Sequence, residues 1–416
     1  MVRNILICGL MLSLSSLANA NETSEIKKEL EKARAERHAL MQEIKDLKNS
    51  SSNSGKSNQI SWGGYGEIHY NEAEGAGGDF VDIHRLVMFM GYAFNDWIQL
   101  NSEVELEHAF VGEGMGGEYK IEQLAMDFMI QPELNIRMGR MLAPLGMINE
   151  NHEPTLFNGV ERPNFAKYII PSTWSLDGIG VFGQRADLSY KVYITSFLDG
   201  SGFSEKDGIR GGRMHERPGM TNKAITTRLE YRPIPKFVFG FGRIVGGVNN
   251  GNKGKNPGID DSVKLALNAI DVRYSWNVLD FKAAYAESTI TGVDKLNEWH
   301  AAQCDPADTS CSAPNIAEKM RGNLAEVGVH VMPASMKKDK LADADLIVFV
   351  RSDTYDNQYS VKNGEKNKAG SRKDFTYGLT FLPTSQVAIK LDWQTTEDET
   401  DADAKKSFNA GLGWNF

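Results

Sequence analysis

The chain has 416 residues, of which 46 are basic and 55 acidic, so its net charge is -9. This acidic balance argues against a nucleic-acid partner, which calls for a basic patch. The mean hydropathy is -0.39, and no apolar run after residue 20 approaches the roughly 20 residues of a spanning helix. Any membrane-spanning part must therefore be built from strands.

The first 20 residues have the organisation of a secretory signal peptide. Arg3 precedes an apolar stretch over residues 5–17, and the sequence Ala-Asn-Ala at residues 18–20 provides small residues for cleavage. The alternative is a membrane anchor, but the stretch is interrupted by Gly and Ser and is too short to span. We expect residues 1–20 to be removed and the chain to be exported.

Residues 21–48 predict a short periplasmic coiled-coil helix. Apolar residues recur there at alternating steps of four and three, with Arg37 at the one polar seam position: Ile26, Leu30, Ala33, Leu40, Ile44 and Leu47. With barely four heptads present, a solvated single helix or a disordered spacer remains an alternative. Residues 49–58, nearly all Ser, Asn, Gly and Lys, predict a flexible linker.

From residue 59 to 416 the hydrophobic pattern has a period of two, which is typical of strands. For example, Leu124, Met126 and Phe128 alternate with Ala125 and Asp127. A soluble β-sandwich shows the same alternation with its apolar face inward, so periodicity alone does not separate a sandwich from a membrane barrel.

The number and spacing of these segments favour a barrel. About sixteen are present, centred near Ile60, Ile83, Ile98, Ile121, Ile136, Ile179, Tyr190, Ile225, Phe239, Ile270, Phe281, Val329, Val348, Tyr377, Ile389 and Leu412. Nearly all the even-numbered connections are short, whereas several odd-numbered ones are long, including residues 145–177, 200–223 and 291–321. This asymmetry predicts an all-β, 16-stranded antiparallel transmembrane β-barrel with periplasmic turns and outer loops. The final apolar face, ending on Phe416, resembles the assembly signal of bacterial outer-membrane proteins.

Four segments, at residues 62–70, 82–85, 103–110 and 144–171, resemble the superfamily that includes the phosphate-selective porins O and P. The similarity covers nearly all of residues 59–416, although only the first third is dense in motifs. It implies a trimeric barrel in the bacterial outer membrane, passive diffusion of small solutes, and a third outer loop that folds into the lumen.

Residues 145–177 are the third outer connection, and a loop of this length without strand pattern is uncommon unless it has a role. Its candidate constriction residues are Asn149, Glu150, His152, Glu153, Glu161, Arg162 and Lys167. A surface loop that covers the barrel mouth is the alternative. Because Arg162 and Lys167 are set against several carboxylates, phosphate selectivity is not predicted.

The polar faces of the predicted strands give a charge map of the lumen. An acidic wall consists of Glu103, Glu105, Glu107 and Asp127, and a basic wall of Arg137, Lys191, Arg228, Arg232, Arg273 and Lys282. Two such walls would produce a transverse field across the passage, with a cation preference on the acidic side. An ordinary solvated lumen face remains the alternative.

Cys304 and Cys311 are the two cysteines that remain after export, and an even pair in a secreted chain predicts a disulfide. A metal site there is disfavoured because His300 is the only nearby imidazole. A metal site among Glu105, Glu107, His108, His152 and Glu153 is also not predicted, because strand alternation places His108 opposite Glu107. No cofactor is predicted.

The sequence contains neither of the catalytic strings Gly-x-Ser-x-Gly and His-Glu-x-x-His, so no enzyme is predicted. The favoured function is an outer-membrane porin: a passive channel for small polar or charged solutes, embedded in outer-membrane lipid as a homotrimer and preferring cations. The alternative is a barrel anchor that tethers a periplasmic partner through the coiled coil.

Overall fold

A computed structural model describes residues 59–73, 78–112, 114, 116–213, 216–251, 258–305, 313–400 and 403–416. The predicted signal peptide at residues 1–20, coiled coil at 21–48 and linker at 49–58 lie outside the described residues and stay predictions. Residues Ile60–Phe416 form one structural unit.

Within the described part of the chain, sixteen antiparallel strands form one closed barrel, in which β1 pairs with β16. The predicted strand number and order are therefore confirmed. The strands are β1 Ile60–Ala73, β2 Phe80–Ala93, β3 Ile98–Glu107, β4 Tyr119–Gln131, β5 Leu134–Leu142, β6 Ser175–Arg185, β7 Leu188–Thr195, β8 Ala224–Tyr231, β9 Phe237–Gly247, β10 Lys264–Trp276, β11 Leu279–Thr291, β12 Lys319–His330, β13 Asp345–Ser360, β14 Ser371–Thr384, β15 Val387–Asp398 and β16 Lys405–Asn415.

The two faces of the barrel are the reverse of those in a soluble sandwich. Apolar side chains on the outer face are exposed, for example Ile83 at 52% and Ile225 at 58%. Charged side chains on the inner face are buried, for example Glu105 at 0% and Asp271 at 1%. A sandwich would bury the apolar set, so that alternative is excluded.

The connections differ in length at the two ends of the barrel. At the short-turn end, Ala186 and Asn277 adopt positive φ angles of 49° and 55°, which reverse the chain within two residues. At the long-loop end, the third, fourth and sixth connections span residues 143–174, 196–223 and 292–318, here called L3, L4 and L6. Because β6 begins at Ser175, Asp177 lies in this strand and not in the loop as predicted.

L3 and L6 each contain a helix, α1 (Asn164–Tyr168) and α2 (Val293–Gln303) respectively. No helix among the described residues is both long enough and apolar enough to cross a lipid bilayer.

The long loops enclose an apolar core inside the barrel. Phe165 of L3, Phe197 and Phe203 of L4 and Leu296 of L6 pack in one cluster with inward residues of β10 such as Leu265. The charge map assumed that the lumen is polar all round, but part of its wall is apolar. This core includes inward residues of strands from β8 to β13.

Candidate functional site

L3 is closed at its base by one buried amide. The Asn149 side-chain nitrogen donates to the carbonyl oxygens of Ala143 at 2.7 Å and Trp174 at 3.1 Å, while its oxygen accepts from the Trp174 amide at 2.9 Å. Asn149 is 0% exposed. This predicted constriction residue therefore ties the two ends of L3 together and does not face a solute.

The tip of L3 reaches the opposite wall of the barrel. The Lys390 ammonium donates to the Phe157 carbonyl at 2.8 Å, and the Asp392 carboxylate accepts from the Val160 amide at 2.6 Å. Further along, the Asp353 carboxylate accepts from the Phe165 amide at 2.9 Å. L3 thus crosses the lumen from β5 and β6 to β13 and β15. Charged side chains of β13 and β15 hold it there by hydrogen bonds to its backbone.

Glycines on β16 make room for this crossing. A Cβ atom at Gly413 would lie 2.6 Å from Pro154, and one at Gly411 would lie 3.0 Å from Val160. A larger residue at Gly413 would displace L3 because the atoms in the way belong to a rigid proline ring. The sequence gives no local sign of this close approach.

A buried cluster of charges lies where L3 meets β3 and β4. Glu103 and Glu105 point inward as predicted and are 2% and 0% exposed. The Lys120 ammonium lies 2.6 Å from Glu105, 3.5 Å from Glu107 and 3.6 Å from Glu122. Four carboxylates therefore share a small volume with few cations.

Glu122 joins the cluster because of a β-bulge. The register between β3 and β4 shifts at Glu103 and Val104, so that Glu122 and Gln123 both contact the cluster. Strict alternation back from Ala125 would place Gln123 inside and Glu122 outside. The sequence does contain a sign of the bulge, because the exposed apolar residues Ile121 and Leu124 are three residues apart and not two or four.

Arg85 is the central cation of the cluster, and its importance was missed at the sequence level. Its side chain is 0% exposed, forms an ion pair with Glu67, and lies 3.6 Å from Glu105. It also donates to the His152 carbonyl of L3 at 2.9 Å and lies over the Tyr65 ring. A buried guanidinium that joins three segments was not recognisable from the strand pattern.

His152 joins L3 to the acidic side of this cluster. Its Nε2 atom lies 3.2 Å from Glu122 and 3.7 Å from Glu103, while its Nδ1 atom lies 3.0 Å from the Asn149 carbonyl. Burial alone would lower the pKa of His152, but the hydrogen bond and charge of Glu122 outweigh it and raise the pKa. Protonation therefore strengthens the attachment of L3.

The remaining predicted loop residues take different roles. Glu161 contacts His69 at 3.0 Å, and Arg162 donates to Thr173 at 2.8 Å. The Lys167 ammonium lies over the Tyr168 ring. One carboxylate oxygen of Glu153 is buried without a hydrogen-bond partner among the described residues.

Each base of the predicted basic wall is paired with a carboxylate, so the prediction of separate acidic and basic walls is corrected. Arg137 forms two 2.7 Å hydrogen bonds with Asp127, a member of the predicted acidic wall. The other predicted bases also have carboxylate partners: Lys191 with Glu150, Arg228 with Asp271, Arg232 and Arg273 with Glu230, and Lys282 with Glu326. The charges are therefore paired locally, which weakens a transverse field.

Cys304 is disulfide-bonded. Its predicted partner Cys311 lies outside the described residues, so the pairing itself stays a prediction.

Two cavities lie on either side of the charged cluster. One, called here the mouth cavity, has a volume of about 530 Å³ and is lined by residues including His84, Glu107 and Arg162. The other, nearer the short turns, has a volume of about 330 Å³ and is lined by residues including Gln123 and Arg137. Glu103 accepts from Gln123 at 2.6 Å. Glu107 of the cluster lines the first cavity, and Gln123, which contacts the cluster, lines the second.

A search among curated proteins gives one relative with substantial identity. It is 31% identical over 365 residues, which are 86% of this chain and 80% of the relative, an uncharacterized protein of Aquifex aeolicus. The chain belongs to the family of that protein. No family model matches the chain, so the resemblance to the phosphate-selective porins O and P stays a prediction.

Solved structures show which proteins this chain resembles in fold. The outer-membrane channel DcaP of Acinetobacter baumannii superposes with a TM-score of 0.55 at 9% identity, over 87% of this chain and 99% of that one. OmpF of Salmonella typhi, in complex with daunomycin, gives 0.55 at 10% identity over 86% and 97%. A trimer form of OmpT from Vibrio cholerae gives 0.52 at 8% identity over 86% and 99%. At these identities the likeness shows a porin-like barrel fold.

Proposed function

We propose that the protein is an outer-membrane channel for passive diffusion of small polar or charged solutes. The observation that carries this proposal is the inverted barrel, with an exposed apolar outside and a charged inside. Exposed aromatic residues also stand near both rims: Trp97 and Trp276 at the short-turn end, and Tyr119 and Tyr359 at the long-loop end. Such belts are typical of the two membrane interfaces.

Single-channel recording in planar bilayers tests the proposal. The folded chain is expected to give discrete conductance steps, and folded protein that inserts without conducting would rule out a channel. The proposed homotrimer rests on the porin-like fold and on the trimer form of Vibrio OmpT. Native mass spectrometry in detergent checks the trimer separately.

We propose a cation preference because acids outnumber bases in the charged cluster, of which Glu107 lines the mouth cavity. Replacing Glu103, Glu105 and Glu107 together by Gln is expected to lower the cation-to-anion permeability ratio, since the three side chains keep their shape but lose their charge. Reversal potentials in a salt gradient measure the ratio. Glu365→Gln, on an exposed residue of the seventh connection, should leave it unchanged, and an equal shift in both variants would contradict the assignment.

The attachment of L3 is expected to depend on pH through His152. Its pKa is raised in the folded protein, so the stabilisation is complete below the unfolded pKa of about 6.5 and is lost as pH rises through the folded value. The charged neighbours are Glu122, Glu103 and Arg85. Current noise from L3 should therefore grow at alkaline pH.

His152→Gln should remove this pH dependence and give the alkaline behaviour at every pH. The matched control is His330→Gln, on a histidine between Asp280 and Asp345 at the short-turn end. A pH response that persists in the His152 variant but disappears in the His330 variant would contradict the role of His152 and assign the response to His330.

A further inference from the structure

Three side chains that commonly bind transition metals converge at the rim of the mouth cavity. Asp82 and His84 are two residues apart on β2 and point to the same side. The Asp82 carboxylate lies 3.0 Å from Nδ1 of His84 and 2.9 Å from Nδ1 of His108. One ligand atom from each residue lies within 4.8 Å of the others, a spacing that one ion with bonds of about 2.0–2.2 Å can bridge.

His108 reaches this position through an unusual backbone conformation. Alternation along β3 predicts that it points away from Glu107, and this expectation was wrong because β3 ends at Glu107. His108 has a φ of 56° and Ala109 a φ of 54°, a left-handed conformation that is unfavourable for L-residues. The His108 amide donates to the His84 carbonyl at 3.0 Å, which fixes the two histidines side by side.

Neighbouring residues hold the His84 ring in place and leave the three side chains accessible from the cavity. The His69 ring stacks on the His84 ring at 4.4 Å between centroids. His69 itself has both nitrogens engaged, with Glu67 at 3.2 Å and Glu161 at 3.0 Å, so it supports His84 without being a ligand. The side chains of Asp82, His84 and His108 are 18%, 20% and 45% exposed, which lets an ion enter from the cavity.

A second group with similar ligand types is less suitable. Glu103, Glu122 and His152 also lie within bonding distance of a common point. Their side chains are only 1–3% exposed, and Lys120 and Gln123 already contact the two carboxylates. An ion would have no open route to this group.

We propose that Asp82, His84 and His108 bind a divalent transition-metal ion such as Zn²⁺ at the mouth of the barrel. Two imidazoles and one carboxylate are a ligand set that suits Zn²⁺, with the fourth position open to water or a solute in the cavity. Ca²⁺ and Mg²⁺ prefer oxygen ligands only, so they are not expected to compete. The bound ion adds positive charge next to Arg162 and Arg210, which line the same cavity.

Co²⁺ titration of the full chain, folded in detergent and stripped with a chelator, tests the site. Tetrahedral Co²⁺ gives visible absorption bands, and we expect saturation by one equivalent with displacement by Zn²⁺ but not by Mg²⁺. Asp82→Asn, His84→Ala and His108→Ala should each weaken binding by at least roughly 10–100-fold, because loss of even an outer hydrogen-bonding partner of a metal ligand costs that much. His330→Ala, on a histidine that also contacts two aspartates, should bind as the unchanged chain does.

The Asp82→Asn variant keeps the side-chain shape, so a loss of Co²⁺ binding in this variant is not due to a changed shape. Gel mobility of heated and unheated samples shows whether each variant still folds into the barrel. Absence of saturable binding in the unchanged chain, or binding that all three variants retain, would overturn the proposal. Binding is measured without a bilayer. A protein that binds Co²⁺ but does not conduct would therefore refute the channel and leave the metal site standing.

Discussion

Replacing Arg85 by Met is expected to destabilise the folded barrel by about 3–5 kcal/mol, the usual cost of removing one partner from a buried ion pair. The change leaves Glu67 and Glu105 inside the barrel without their guanidinium, which is 0% exposed. It also removes the hydrogen bond to the His152 carbonyl that holds L3. Urea unfolding in lipid vesicles, followed by tryptophan fluorescence, measures the loss.

Arg243→Met is the matched control for this experiment. Arg243 lies on the outer face of β9, is exposed, and donates to the neutral Asn268, so its loss leaves no buried carboxylate unpaired and should not lower the stability. Adding Glu67→Gln to Arg85→Met should restore part of the stability, because one unpaired carboxylate is then neutral. If the Arg85 and Arg243 variants unfold at the same urea concentration, the central role of Arg85 is wrong.

Releasing the tip of L3 from the far wall is expected to raise single-channel conductance several-fold and to increase current noise. The variant combines Asp353→Asn, Lys390→Met and Asp392→Asn, which weaken or remove three charge-assisted hydrogen bonds to the L3 backbone. Hydrogen bonds to charged groups contribute about 1.5–3 kcal/mol each. Planar-bilayer recording at neutral pH measures the conductance.

The control carries the same three types of change on exposed residues away from L3: Asp187→Asn, Lys264→Met and Asp339→Asn. It should conduct as the unchanged chain does. Conductance that stays constant when L3 is released would show that L3 does not limit the passage, and it would leave the channel proposal intact.

Much of the fold follows from local sequence patterns. Strand alternation correctly placed Glu103, Glu105 and Asp127 on the inner face, since side chains in a regular strand must alternate. The same rule failed at Glu122, where a bulge shifts the phase, and at His108, where the strand has already ended. Glu122 and His108 both lie at the proposed sites. A bulge or the end of a strand turns a side chain away from the face that alternation predicts.

The sequence alone determined the sixteen strands, their antiparallel order and the inner or outer face of residues in regular strand segments. Hydrophobic period and loop length are local patterns that can be read within a few residues. Only the tertiary structure decided which groups meet across the lumen. The Asp353 carboxylate and the Phe165 amide are 188 residues apart, and Lys390 and Phe157 are 233 apart. No local pattern encodes such pairs, since they arise when closure of the barrel brings distant strands around one loop. The buried position of Arg85 and the apolar core under L3, L4 and L6 have the same origin.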